Sequence, residues 1–369
     1  MIYLDNGATS FYKPPGVIRA MEQAMRTAGN PGRGDYGCAM QAARIVLQCR
    51  ERAARMFSCQ PEQVVFTANC THSLNIAIRT LVKPGSRVVV SGFEHNAVVR
   101  PLHAIGAKMT VAGRKLFDPA DTVACFEKAL KQGADAAVFT HVSNVFGYIL
   151  PVKELSGLCR RYGVPFVIDA AQSAGTLPVS LQETGASFIA MPGHKGLLGP
   201  QGTGILLCGC LPEPLLCGGT GSLSKAPEMP DFLPDRAEAG TVNVPGIAGL
   251  DAGLAYLEKT GISRIFLREQ QQMRRCADKL SLLGWKVFTG VDQCGTVSFL
   301  PEMDCETFAS RLAKQGIAVR AGLHCAPLAH ESAGTLDTGT VRISFGHDAS
   351  QIQTEQLLKT LAGKQIFCE

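Results

Sequence analysis

Phe166-Val-Ile-Asp169-Ala-Ala-Gln172, followed by Ser187-Phe-Ile-Ala-Met-Pro-Gly-His-Lys195-Gly-Leu-Leu-Gly199, is the part of the chain that decides its architecture. Each stretch is a short apolar run that ends among small residues with one ionisable side chain at its exit. A carboxylate at the end of an apolar strand is costly unless it meets a cation. Asp169 therefore calls for a partner, although a plain helix N-cap is the simpler reading. Lys195 stands in a Gly-flanked turn after the second run. Alone it reads as a solvated loop lysine. Among small residues at a sheet edge, however, an amine is partly desolvated and becomes a competent nucleophile.

The same rhythm continues on both sides. Strands are predicted at Val64–Thr67, Arg87–Ser91, Met109–Ala112, Ala136–His141, Pro165–Ile168, Ser187–Ala190 and Thr203–Leu207. Helix-compatible stretches lie between several of them, at Ser73–Leu81, Ala97–Ala104, Asp121–Lys131 and Val152–Tyr162. Upstream, helices are expected over Pro15–Ala28 and Gln41–Phe57, joined by a glycine-rich loop at 30–37. Strands alternating with helices predict an α/β fold with a mostly parallel sheet flanked by helices. A Gly- and Pro-rich loop at Pro212–Pro245 ends the pattern, and a helical stretch at Ile247–Leu283 follows, broken near Gly261. The remainder reads β, β, α, β, β, α: Lys286–Phe288, Thr296–Leu300, Cys305–Lys314, Ala318–Arg320, Thr340–Ser344 and Gln353–Leu361. Two domains are expected: a large one over residues 1–250, whose segment 1–15 packs toward the other, and a smaller α+β domain over 251–369.

Composition narrows the class of partner. Of 369 residues, 46% are hydrophobic, enough for a sizeable core. The 36 basic and 31 acidic residues are scattered and leave a net charge of +5, so no stripe suits nucleic acid or a membrane surface. A small-molecule partner is expected. Fourteen cysteines lack the spacing of a disulfide scaffold or a zinc site; Cys208 and Cys210 form an isolated C-x-C. So many free thiols suit a reducing cytoplasm, and most of them are expected to be small buried hydrophobes. No leader-like segment is evident at the start, and no apolar run nears the ~18 residues of a membrane span.

Taken together, Lys195 and Asp169 suggest pyridoxal 5'-phosphate, whose enzymes need an imine-forming lysine and often an acid that keeps the ring nitrogen protonated. The phosphate needs an anion site. Ala68-Asn-Cys-Thr71-His72-Ser73 follows a strand and opens a helix, so its backbone N–H groups, with the Thr71 and Ser73 hydroxyls, supply one. Neither a P-loop nor a strand-linked G-x-G-x-x-G is present to favour a nucleotide.

With these motifs in order, the chain resembles the class V, fold-type I pyridoxal-phosphate enzymes, and within them the cysteine desulfurases and selenocysteine lyases. The resemblance runs from Tyr3-Leu-Asp-Asn-Gly-Ala-Thr9 to the final helix. It is carried by Asp169-x-x-Gln172 with Gly193-His-Lys195, and by Phe93-Glu-His95, His141-Val-Ser-Asn144, Glu238-Ala-Gly-Thr241 and Val319-Arg-Ala-Gly-Leu-His-Cys325-Ala-Pro327. It implies that Lys195 carries the cofactor and Asp169 pairs with the ring nitrogen. Gln172 is expected on the phenolic oxygen, and His95 stacked on the ring as a proton carrier. Thr71, His72 and His194 are expected near the phosphate, with Thr241 reaching it from a second subunit of a homodimer. Asn144, Arg342 and Ala8 are expected at the substrate, and the Arg342 fork suits its carboxylate. Cys325 is the implied sulfur acceptor, receiving a persulfide from L-cysteine and leaving L-alanine, with His324 and Arg320 favouring its thiolate. A sulfur-acceptor protein is a further possible partner.

Two positions depart from that pattern. Pro192 stands where many relatives carry a Ser, and His72 where a Glu is common. Both suggest a divergent branch. The alternatives are a class V aminotransferase, or a cysteine or selenocysteine lyase without persulfide transfer; either leaves Cys325 incidental.

Overall fold

The computed structural model describes residues 1–32 and 34–362; Arg33, within the expected glycine-rich loop, and the last seven residues of the expected second domain lie outside the described residues. Strand β1 (Ile2–Tyr3) opens the chain. Seven more follow: β2 (Val64–Thr67), β3 (Arg87–Ser91), β4 (Lys108–Ala112), β5 (Ala136–Thr140), β6 (Phe166–Asp169), β7 (Phe188–Pro192) and β8 (Gly204–Cys208). These seven form one sheet in the order β2-β8-β7-β6-β5-β3-β4. Pairings from β4 through β7 are parallel, whereas β8 runs antiparallel between β7 and β2. Central strands such as β5, β6 and β7 are buried along their whole length, as a sheet covered on both faces requires. At the edge, β4 alternates in exposure.

Each face has its own apolar core. On one side, Phe57, Phe126, Leu155 and Leu254 pack with Phe139, Phe166 and Ile189. On the other, Leu74, Ile78, Val98 and Leu102 pack with Val90, Val138 and Val167. The helices that supply the second face, Cys70–Leu81 and Asn96–Ile105, both begin at the carboxyl edge of the sheet. The register sets Thr140 beside Asp169 and Asp169 beside Ala190. In an open α/β sheet that edge is where ligands bind.

Helices Val244–Thr260 and Ile262–Leu282 meet at Gly261, the predicted break. Beyond them, β9 (Lys286–Phe288), β10 (Thr296–Leu300), β12 (Arg320–Gly322) and β13 (Thr340–Ser344) make an antiparallel sheet in the order β12-β13-β10-β9. The single strand expected at Ala318–Arg320 is two. Its first part, β11 (Ile317–Ala318), turns away to pair in parallel with β1. A helix at Pro327–Ala333 was not foreseen. Among the described residues no helix is long and apolar enough to cross a membrane.

Candidate active site

A cavity of about 120 Å³ opens at the carboxyl edge of the sheet, lined by Asn69, Cys70, Thr71, His95, Asn144, Asp169, Gln172, His194 and Lys195 among others. Its volume is on the scale that holds one aromatic ring, for which ~150 Å³ suffices. A larger cleft of about 680 Å³, between the helix Val152–Arg161 and the sheet, has His141 in its wall but no comparable convergence of groups.

Asp169 ends β6 and is 2% exposed. Burial pushes its carboxyl above the ordinary value, against the pull of the Ala171 N–H, Lys195 and the Cys70 thiol. Oδ1 accepts from Ala171 N–H at 2.9 Å and from Cys70 Sγ at 3.5 Å. Lys195 leaves the turn after β7, and desolvation lowers its amine below the usual lysine range. That favours the free base a carbonyl-binding lysine needs. Ser10 holds the turn from beneath, donating to the His194 carbonyl at 3.0 Å and to the Lys195 carbonyl at 3.1 Å.

The helix Cys70–Leu81 begins at one end of the cavity. Asn69 caps it, its side chain accepting from the His72 N–H at 2.9 Å, so the helix begins three residues before the predicted Ser73. A Cβ on Gly204 in β8 would stand 2.8 Å from the Asn69 carbonyl carbon, so only glycine lets this helix end settle on the sheet. Thr71 is exposed at the cavity mouth. Two expectations fail here. Ser73 is buried and its hydroxyl bonds Thr67 Oγ1 at 2.7 Å and the Ile205 carbonyl at 3.2 Å, facing the core instead of the cavity. The His72 ring turns back to accept from the Ala68 N–H at 3.3 Å and does not line the cavity.

His95 caps the helix Asn96–Ile105, its Nδ1 accepting from the Ala97 N–H at 2.9 Å. Burial, followed by the Lys195 charge, lowers its pKa to about 4. The ring is therefore neutral at pH 7, with its proton on Nε2. His194 is likewise lowered to about 4, mainly by burial, and its Nδ1 meets Thr9 Oγ1 at 3.0 Å. Gln172 Nε2 donates to the Gly7 carbonyl at 3.0 Å, which ties the N-terminal segment bearing Ala8 to the cavity wall. Thr241 is exposed, ahead of the helix Val244–Thr260, and does not line its own chain's cavity.

Arg342, on β13, is buried, 2% exposed. Its guanidinium donates to Asp5 and, at 2.9 Å, to the Asn144 carbonyl, while Nε is buried without a partner among the described residues. Gly7 lies against it; a Cβ there would be 3.1 Å from Arg342 Cζ.

Cys325 is exposed, unlike most of the chain's cysteines, although Cys38, Cys210 and Cys217 are exposed too. It occupies a turn in which both His324 and Cys325 have left-handed backbones, with φ of 48° and 57°. Such residues are strained and need support. Asn144 Nδ2 supplies it, donating to the His324 carbonyl at 2.8 Å, as does the Asn96 N–H, donating to the Cys325 carbonyl at 2.7 Å. The thiol-bearing turn is thereby fastened to Asn144 and to Asn96, next to His95. His324 does not act as expected. It is buried with its Nε2 on the Thr340 carbonyl at 3.2 Å, and burial lowers it to about 2, so it brings no positive charge to Cys325.

Comparison with known proteins fits this geometry. The family model described as aminotransferase class-V matches residues 2–357. The chain belongs to the class-V aminotransferase family. A probable cysteine desulfurase of Pyrococcus abyssi is 33% identical over 99% of this chain and 96% of that protein. The apo structure of a cysteine desulfurase from Thermococcus onnurineus superposes with a TM-score of 0.89 at 32% identity, covering 98% of this chain and 93% of that one. The cysteine desulfurase CsdA from Escherichia coli, seen as an S-sulfonic acid, gives 0.85 at 26% identity, covering 98% and 93%. The fold is thus the fold-type I arrangement of these class-V proteins.

Pyridoxal phosphate fits the residues present. The cavity offers a desolvated amine, a carboxylate whose Oδ2 takes no hydrogen bond among the described residues, a neutral imidazole and a helix N-terminus. Cys70 and Asp5 join the site through contacts that have no local signal in sequence: Cys70 meets Asp169 across 99 positions, and Asp5 meets Arg342 from the other end of the chain.

Proposed function

We propose that this chain is a pyridoxal-phosphate-dependent cysteine desulfurase that moves sulfur from L-cysteine to Cys325 and releases L-alanine. The observation that carries this reading is the fastening of the Cys325 turn, through Asn96 and Asn144, to the cavity that holds both Lys195 and Asp169. Lys195 would hold the cofactor covalently, with Asp169 Oδ2 on its ring nitrogen, Gln172 on its phenolic oxygen, and Thr71 and His194 toward its phosphate. Bound there, the cofactor supplies an electron sink for the substrate's Cα–H bond. His95, neutral with its proton on Nε2, would stack on the ring and move protons. Arg342 and Asn144 orient the substrate carboxylate beside Ala8. The Cys325 thiolate then attacks the substrate sulfur: an S–S bond forms, the Cβ–S bond breaks, and its electron pair leaves on Cβ, where a proton completes alanine.

The working unit on this reading is a homodimer in which Thr241 serves the neighbouring site, built from a domain of residues 1–250 and one of 251–369, working in the cytoplasm and passing sulfur to an acceptor protein. Light scattering at assay concentration should give about twice the chain mass. The function is tested by incubating the holoenzyme with L-cysteine and excess dithiothreitol, which reduces persulfide sulfur to sulfide, and measuring sulfide, alanine and pyruvate. Alkylation and mass spectrometry of a sample without dithiothreitol looks for persulfide at Cys325. Equal sulfide and alanine with persulfide on that residue supports the desulfurase. Pyruvate in place of alanine, with no persulfide, overturns it in favour of an eliminating lyase.

A further inference from the structure

We propose that Cys70 is a positioning residue for the ring partner, its thiol donating to Asp169 Oδ1 so that Oδ2 alone is left to face the cofactor. The proposal rests on the pyridoxal-phosphate reading above and deepens it. Cys70 is the first residue of the helix Cys70–Leu81 and lines the same cavity as Asp169 and Lys195. It is 9% exposed, and its Sγ lies 3.5 Å from Oδ1, within reach of an S–H···O bond.

A thiol at a helix N-terminus is ordinarily acidified by the helix dipole. Here two larger effects oppose that. Burial first, and the Asp169 charge second, push Cys70 well above its ordinary value. It therefore stays a thiol: a donor, not a nucleophile. Its sulfur cannot serve as a second acceptor of substrate sulfur, and its proton has one evident carboxylate to meet.

The effect on Asp169 is geometric. With Ala171 N–H and Cys70 S–H both on Oδ1, the carboxylate plane is set by two donors from different segments, one on β6's own exit and one on the phosphate-end helix. Oδ2 takes no hydrogen bond among the described residues, and Asp169 lines the cavity. The bond also stabilises the ionised carboxylate in a place where burial disfavours it. The ring partner is thus aimed before the cofactor arrives, and it is coupled to the helix whose N-terminus meets the cavity.

The test compares wild type with Cys70→Ala and Cys70→Ser as apoproteins titrated with pyridoxal phosphate, followed by the visible band across a pH series. Cys70→Ala should raise the cofactor's dissociation constant about 3–10-fold, as losing one modest hydrogen bond does. Losing the donor raises the Asp169 pKa, so the pH below which uptake fails should move upward. Cys70→Ser keeps a donor and should remain nearer wild type, and it covers the case in which the alanine variant folds poorly. In an Asp169→Asn background, Cys70→Ala should move neither quantity further. Unchanged affinity and unchanged midpoint in Cys70→Ala, with wild type taking up cofactor normally, would overturn the proposal alone. So would an affinity loss that persists in the Asp169→Asn background, because packing would then be the cause. Failure of wild type itself to take up the cofactor would overturn the reading beneath it.

Discussion

The floor of the cavity and the turn bonded to Asn96 and Asn144 beside it are made in opposite ways. Asp169, Lys195 and Cys70 issue from strand ends and a helix start on the seven-stranded sheet, buried and cross-bonded. Cys325 stands on a turn beside the four-stranded sheet, exposed, with two consecutive left-handed residues kept in place by donors from the other half of the molecule. Each region holds one cysteine, and the environments separate them. Beside a buried carboxylate Cys70 is kept a thiol, whereas Cys325 stands exposed. Residue type alone does not assign the chemistry; solvation and support do.

The contrast breaks most sharply at Lys195. On the proposed reading Lys195→Ala should lose covalent cofactor attachment and lower turnover ~1,000-fold or more. Borohydride reduction and mass spectrometry should find the adduct on Lys195 in wild type; an adduct on another lysine would contradict the floor's assignment. Next comes Cys325→Ala, which should keep the visible spectrum yet release sulfide ~100-fold more slowly. If it releases sulfide at the parent rate, the turn has no part in sulfur transfer. Asn144→Ala removes the bond that steadies the His324 carbonyl, and should lower sulfide release about 10-fold, roughly one hydrogen bond to a strained turn. Cofactor affinity should change less, and the reverse pattern would put Asn144 with the floor.

The smallest effect concerns stability. Glu94 is fully buried beneath the site and is pushed up to about 8, chiefly by burial, while its Oε1 accepts from Ser91 and, at 2.9 Å, from the Thr140 N–H. A carboxyl whose folded pKa lies above its unfolded value, near 4.3, keeps a proton that the unfolded chain releases. Stability is then greatest below the unfolded pKa and falls as pH rises toward about 8. Glu94→Gln retains the acceptor and removes the titration, so the difference in Tm between pH 5 and pH 8 should shrink by ~2–4 °C. An unchanged difference in scanning calorimetry would mean that Glu94 does not carry that slope.

The floor was far more legible in sequence than the turn. Runs such as Val64–Thr67 and Arg87–Ser91 are apolar, bounded by polar or glycine-containing segments, and they formed strands with those bounds because burial on both faces leaves one pattern. Lys195 and Asp169 could be paired because each sits at the exit of such a run. Around Cys325 the local signals are weak. β11 is two residues long and gains its partner from the opposite end of the chain, and the helix Pro327–Ala333 has fewer than two periods to read. The error over His324 has the same origin: adjacency in sequence suggested a cation, but only the fold reveals that the ring is buried against Thr340. Ser73 failed likewise, because its helix position turns the hydroxyl toward β8.

The pairing of Ile2–Tyr3 with Ile317–Ala318, and of Asp5 with Arg342, has a consequence for how the protein is made. A ribosome emits β1 long before β11, an interval on the order of tens of seconds at ordinary elongation rates. Throughout that wait the nascent chain carries Ile2 and Leu4, both core residues, without the surface that buries them. The sheet that bears Lys195 can assemble while translation continues, but the arginine's carboxylate partner cannot reach it until β13 is out. Newly made chains thus carry Lys195 and Asp169 well before Arg342 meets Asp5, and a product truncated ahead of Ile317 never hides its own β1.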